Sequence, residues 1–293
     1  MDTAVIDLRG RASWRTVKNT IMTVVMVSGF VVIAIPLVAI LWSVIARGAH
    51  SAFSQFPAFF TKEIPHISRL PGPGMGPAIV GTLLVTGGAT ALAVPLGILG
   101  AVYLHEYGHE SRFAHLVRFM SVVMTGVPSI VMGLFVYVVW TMRFGYSAFG
   151  GSIAMACLML PVVIGSTEQM LRLVPPNLRE ASYALGATKS RTIVTVVVPA
   201  ALPGIVSGAL LAVARAAGET APLLFTIGAA TQFNPHLFEG ANNALSAQIF
   251  VNATSSFAGA QDRAWGAALT LVLLTFLITM IARVFTARFG LKR

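Results

Sequence analysis

Long apolar runs alternate with short polar segments along this chain, and that alternation predicts its elements. Residues 1–20 are polar and basic, and Ile21 to Val44 is almost continuously apolar, which predicts a first helix over 21–46. Those 24 residues exceed the about 7–15 of a signal-peptide core and suffice to cross a bilayer, so the run reads as an uncleaved span. Residues 47–77 show little helical periodicity and end in PGPGMGP, the signature of a loop and a breaker. The remaining residues, 78–290, form a core of five further spans at about 77–104, 116–142, 151–171, 200–228 and 264–287. Pro95, Gly126, Pro128 and Pro161 fall inside these runs and predict kinks, tolerated because neighbouring helices re-satisfy the freed carbonyls. The stretch 229–262 carries Asn234, Asn242, Asn243, Ser246 and Gln248 and predicts a short helix over about 245–251, either a lip on a pathway or a plain loop.

Composition places this pattern in a bilayer. Hydrophobic residues make up 56% of the 293, charged residues 10%, and mean hydropathy is +0.81; soluble domains carry about 25% charged residues. The expected fold class is an all-α membrane protein of six transmembrane helices. The net charge of +10 would suit nucleic acid, but the cations lie in short segments between apolar runs, where they act as topology signals. With the N-terminus inside, fourteen lysines and arginines fall on the inner side. Five (Arg47, Lys62, Arg69, Arg143 and Arg263) fall outside, which predicts that both termini are cytoplasmic and 47–77 periplasmic-side. The single cysteine, Cys157, sits in an apolar run, so no disulfide framework and no cysteine metal cluster is offered.

Four stretches are candidates for chemistry. HEYGH at 105–109 matches H-E-x-x-H, in which two histidines on one helical face hold zinc and the glutamate activates water. An intramembrane zinc protease through His105, Glu106 and His109 is therefore the reading from a different class. Against it, Gly108 interrupts the motif, the match sits at a span end, and Glu110 or His115 would have to supply the third ligand. GATKS at 186–190 echoes the end of a phosphate loop but lacks the first glycine and a preceding strand, so no ATP hydrolysis is expected of this chain. The polar segment 174–198 carries Leu178, Ala181, Leu185 and Ile193 at near-helical spacing with Gly186 between, which predicts a short helix, a turn and a second helix entering the membrane. Finally, Arg215 and Glu219 lie four apart in the apolar run that follows Pro199, on one helical face and within pairing reach. An intramembrane charge is a functional-site candidate by default, lining a pathway or pinning helices together. Gly204, Gly208 and Ala212 lead up to it at four-residue spacing and permit close helix approach, towards a second subunit or a pathway.

Glu180, Ala181 and Gly186, followed by Val198-Pro199, resemble the EAA loop of ATP-binding-cassette importer permeases. Ser182 stands where many members have a second alanine. RAAGETAPLLFT at 215–226 and PLGILGAVYLHEYG at 95–108 are similar to the phosphate-transport permeases of the Pst system, on the PstA rather than the PstC side. The likeness covers about 75–290. Sulfate and molybdate permeases share the EAA loop but usually read Gly-Glu-Phe where this chain has Gly218, Glu219 and Thr220. The resemblance implies a type I importer permease with a MetI-like fold, forming half of an inorganic phosphate pathway. It implies a PstC-like second permease subunit, two PstB-like ATPase subunits that use ATP and Mg, and a PstS-like phosphate-binding protein, with lipid around and no cofactor on this chain. It further implies that Glu180, Ala181, Leu185, Gly186 and Ala187 dock on the ATPase and that Arg215, Glu219 and Thr220 line the substrate pathway. A permease for another oxyanion is the alternative within transport.

Overall fold

The computed structural model describes residues 14–66, 72, 74–108 and 111–289. Arg69, His109 and Glu110, named above, lie outside the described residues. Among the described residues all regular structure is helical. The chain divides into two units, residues up to Ala46 and Arg47–Arg293. The first unit carries most of α1 (Trp14–Phe53), which is longer at both ends than the 21–46 expected and has Pro36 inside it.

The second unit is built around α2 (Gly76–Tyr107) and α5 (Ala148–Arg172). Their contact is the most extensive between any two helices, and small residues make it possible: Ala89 and Ala93 are fully buried, and a side chain at Gly97 would overlap Val163. Ser152 donates to the Val85 carbonyl across the seam at 3.2 Å. Val85, Met155, Met159 and Val163 of this pair continue the core into Ala212, Val213 and Ala216 of α7 (Lys189–Ala217).

The third expected span is broken. α3 (Arg112–Gly126) and α4 (Ser129–Phe144) meet at 108°. Pro128 denies Val127 the helical region, and Val127 is extended at φ −72°, ψ 127°, so the pattern read as a kink is a sharp corner. The fifth expected span, 200–228, also ends early. α7 stops at Ala217, Gly218 to Thr220 are unwound, and α8 (Ala221–Thr226) restarts on Pro222. The last helix is α10 (Ala258–Phe289).

The two ends of the second unit differ. At one, 229–262 joins the 47–77 segment, where Ile64 N–H donates to the Thr231 carbonyl at 3.0 Å, and the start of α5, where Phe149 N–H donates to the Leu237 carbonyl at 2.7 Å. The 229–262 stretch is a built element carrying α9 (Leu245–Ala253), with Asn242, Asn243, Ser246, Gln248 and Asn252 all buried. Asn243 donates to the Ala230 carbonyl (2.7 Å) and to Gln248 Oε1 (2.9 Å), and Thr82 of α2 accepts from Leu245 N–H at 2.8 Å. The polarity that suggested a loop serves internal hydrogen bonds, the condition for burying amides. The other end gathers the end of α2, the start of α3, the end of α5 and the 174–198 segment.

Candidate functional site

The first site forms where α7 unwinds. Arg215 lies in its last turn and Glu219 in the break, with Nε and Oε1 3.7 Å apart. The arginine side chain is 71% exposed and the glutamate 23%. Together with Ala212 and Ala216 of α7 and Leu158, Met159 and Val162 from the middle of α5, they line a small, open recess. The charges therefore stand level with the centre of a membrane-length helix, with the arginine side chain largely exposed. Ser246 of α9 donates to the Glu219 carbonyl at 2.8 Å, which satisfies one group freed by the break. Thr220 is half-buried, and its carbonyl accepts from Leu223 and Leu224 N–H as α8 begins. Irregular backbone at this depth is tolerated only against protein or a water-filled cavity. The helical face expected for Arg215 and Glu219 is thus replaced by a broken helix that still brings them together. Gly204 and Gly208 face neither a partner nor a pathway: a side chain there would overlap Met170 and Ser166 of α5, so the small-residue stripe seats α7 on α5.

The second site is the 174–198 segment. α6 (Pro176–Ala184) ends in a turn at Gly186, whose φ of +83° suits a residue without Cβ. Ser182 of α6 and Thr192 of α7 share a buried hydrogen bond of 2.8 Å that closes the turn. Glu180 and Ala181 are exposed on α6, Leu185 is 90% exposed at the tip, and Ala187 lies half-buried behind it. An apolar tip held this far out on a rigid turn is a shape that docks into a groove.

Beside it lie ion pairs that the sequence reading did not isolate. Arg179 of α6 donates to Glu106 Oε1 at 3.0 Å, to the Val174 carbonyl at 2.9 Å and to the Leu171 carbonyl at 3.2 Å, and the Glu106 side chain is only 8% exposed. Glu168 of α5 accepts from Arg118 of α3 at 3.0 Å and from Arg172 at 2.9 Å. Arg118 also reaches the Leu104 carbonyl at 2.7 Å, in the widened π turn Tyr103–Tyr107 that ends α2. In the sequence Arg118, Arg172 and Arg179 read as topology signals between apolar runs. The available clue was that each of the two carboxylates ends an apolar run, where a lone acid demands a partner. Glu106, committed to Arg179 and set in a π turn with His105, is not poised as the base of a zinc site, and His109 lies outside the described residues.

Comparison with known proteins shows the family to which the chain belongs. Residues 93–291 match the family described as binding-protein-dependent transport system inner membrane component. The chain belongs to that family. Among its relatives is the phosphate transport system permease protein PstA 1 of Mycobacterium tuberculosis, 44% identical over 280 residues that cover 92% of this chain and 88% of the relative. The PstA of Yersinia pestis is 40% identical over 281 residues, covering 96% and 94%. Among solved structures, a bacterial alginate ABC transporter in complex with its pentasaccharide-bound periplasmic protein matches with TM-score 0.63 at 16% identity, over 96% of this chain and 99% of that one. The inward-facing MetNI methionine transporter matches with TM-score 0.55 at 18% identity, over 71% and 90%. At such identities these two establish the fold of the inner membrane component, a multi-pass permease, and nothing about its cargo.

Proposed function

We propose that this chain is the transmembrane permease subunit of an ATP-driven inorganic phosphate importer and supplies half of the translocation pathway. The observation that carries the proposal is Arg215, a fixed cation 71% exposed at the level of the middle of α5. A charge at that depth must face water or a partner chain. Its planar fork of donors suits phosphate oxygens, and Glu219 beside it orients the guanidinium and accepts a hydrogen bond from a phosphate hydroxyl. Sulfate has no proton to offer at neutral pH, so the same carboxylate repels it; Thr220 completes the polar break. The phosphate permeases among the relatives support this cargo over another oxyanion.

One arginine on one chain makes half a site, so a similar PstC-like permease faces it. Both termini lie in the cytoplasm and 47–77 on the far side, as the distribution of lysine and arginine favours. The 174–198 segment, through Glu180, Ala181, Leu185, Gly186 and Ala187, then docks on one of two PstB-like subunits, which bind ATP and Mg and hydrolyse the nucleotide. A PstS-like protein delivers phosphate from outside. The test is uptake of labelled phosphate by the complete system, challenged with excess sulfate or molybdate. The expected result is ATP-dependent uptake that neither oxyanion inhibits and that Arg215→Lys lowers; inhibition by sulfate or molybdate at equal concentration would overturn the cargo.

A further inference from the structure

α6 is attached to the rest of the chain by two side chains that point in different directions. Arg179 holds it to Glu106 at the end of α2 and to the last carbonyls of α5, while Ser182 holds it to Thr192 at the start of α7. α5 and α7 are the two walls of the Arg215 recess. The docking helix therefore grips both walls of the recess from one end, through a buried hydrogen bond at Ser182 and a partly buried ion pair at Arg179. Glu168 is different: its partners Arg118 and Arg172 lie on α3 and α5, and it makes no bond to α6. It joins elements within the membrane unit and leaves the docking helix to Arg179 and Ser182.

We propose that the Glu106–Arg179 pair is the mechanical link that carries a displacement of α6 to the α2–α5 wall while Ser182–Thr192 carries it to α7, which makes Glu106 a positioning residue of the transport cycle. This rests on the reading of 174–198 as the docking segment. The charge matters because an ionised acceptor roughly doubles the strength of such a bond, and a link under load fails at its weakest bond. Arg179 is suited to the task since one planar group bonds three acceptors on two elements at once, which a lysine cannot do.

The test uses the whole complex in proteoliposomes, with nucleotide hydrolysis and phosphate uptake measured together. Glu106→Gln keeps the shape and a neutral acceptor, so the complex assembles and hydrolysis stays near wild type, while phosphate carried per ATP falls about fivefold. A second variant, Glu106→Cys with Arg179→Cys in a Cys157→Ala background, is then bridged by a short bis-maleimide; bridging restores the ratio that the unbridged pair has lost. Unchanged coupling in Glu106→Gln, a parallel fall in hydrolysis and uptake, or failure of both variants to assemble assigns the pair to packing and overturns the proposal. Wild-type hydrolysis without phosphate uptake would instead reject the phosphate cargo. The tether would then be judged by whether binding-protein stimulation of hydrolysis is lost in the unbridged cysteine pair and regained on bridging.

Discussion

Arg179 and Glu106 meet at 3.0 Å with 19% and 8% of their side chains exposed, and the guanidinium directs its other donors at two carbonyls. Arg215 and Glu219 stand 3.7 Å apart, the arginine 71% exposed and the recess beside it open. Sequence alone makes the second pair the more conspicuous, because it interrupts an apolar run with the spacing of a helical ion pair. Of the two roles open to an intramembrane pair, pinning helices or facing a pathway, the first fits Arg179 and Glu106, whose guanidinium bonds three acceptors, and the second suits the looser, exposed pair. Burial and the number of acceptors within reach, which no sequence pattern displays, separate an arginine that builds the protein from one that can meet a substrate.

Substitutions sharpen this contrast when ordered by their effect on stability. Glu168→Ala should cost most, about 3 kcal/mol, because it strips the carboxylate from Arg118 and Arg172 at a site where its own side chain is 11% exposed. That figure sits at the low end of the range for buried pairs, since Arg172 is itself largely in the open. A clear fall in the unfolding temperature of the detergent-purified protein checks it, and an unchanged transition would mean that the cluster is ornamental to stability. Ser182→Ala should cost about 1 kcal/mol, the loss of one neutral hydrogen bond with Thr192 left buried. Limited proteolysis within 174–198 is its readout, with cleavage faster than in the parent and the membrane helices still protected. Substitution of Arg215 should cost least, within about 0.5 kcal/mol, as for other exposed and loosely paired charges.

Much of this architecture was legible because bilayer spans need long apolar runs, and runs of that length stand out in a chain only 10% charged. The turn at Gly186 was legible for a similar reason, since glycine between two periodic stretches has a specific backbone meaning. The breaks were not. Arg215, Glu219 and Thr220 interrupt the apolar run, but apolar residues resume from Ala221 to Ile227, so the stretch still reads as one span; the clue to the unwinding at Gly218 to Thr220 was Pro222, which starts a helix more readily than it continues one. At Val127 the local proline rule was visible, but the 108° corner depends on what α3 and α4 pack against. The buried amides of 229–262 were misleading, because polarity in sequence records the groups present and not whether the protein satisfies them. Of the candidate site, Arg215 and Glu219 stand out by their rarity, whereas Glu106 reads as part of a zinc motif and Glu168 lies unmarked at the end of a span.

The most direct test of the central claim takes Arg215→Gln into the assembled complex and measures unfolding temperature, ATP hydrolysis and phosphate uptake on the same preparation. The account predicts an unshifted transition, hydrolysis retained, and uptake lowered by about a hundredfold or more, as befits loss of the fixed cation in the recess. Normal uptake, or loss of uptake that merely follows a loss of stability, would contradict it and return Arg215 to the role of a packing residue.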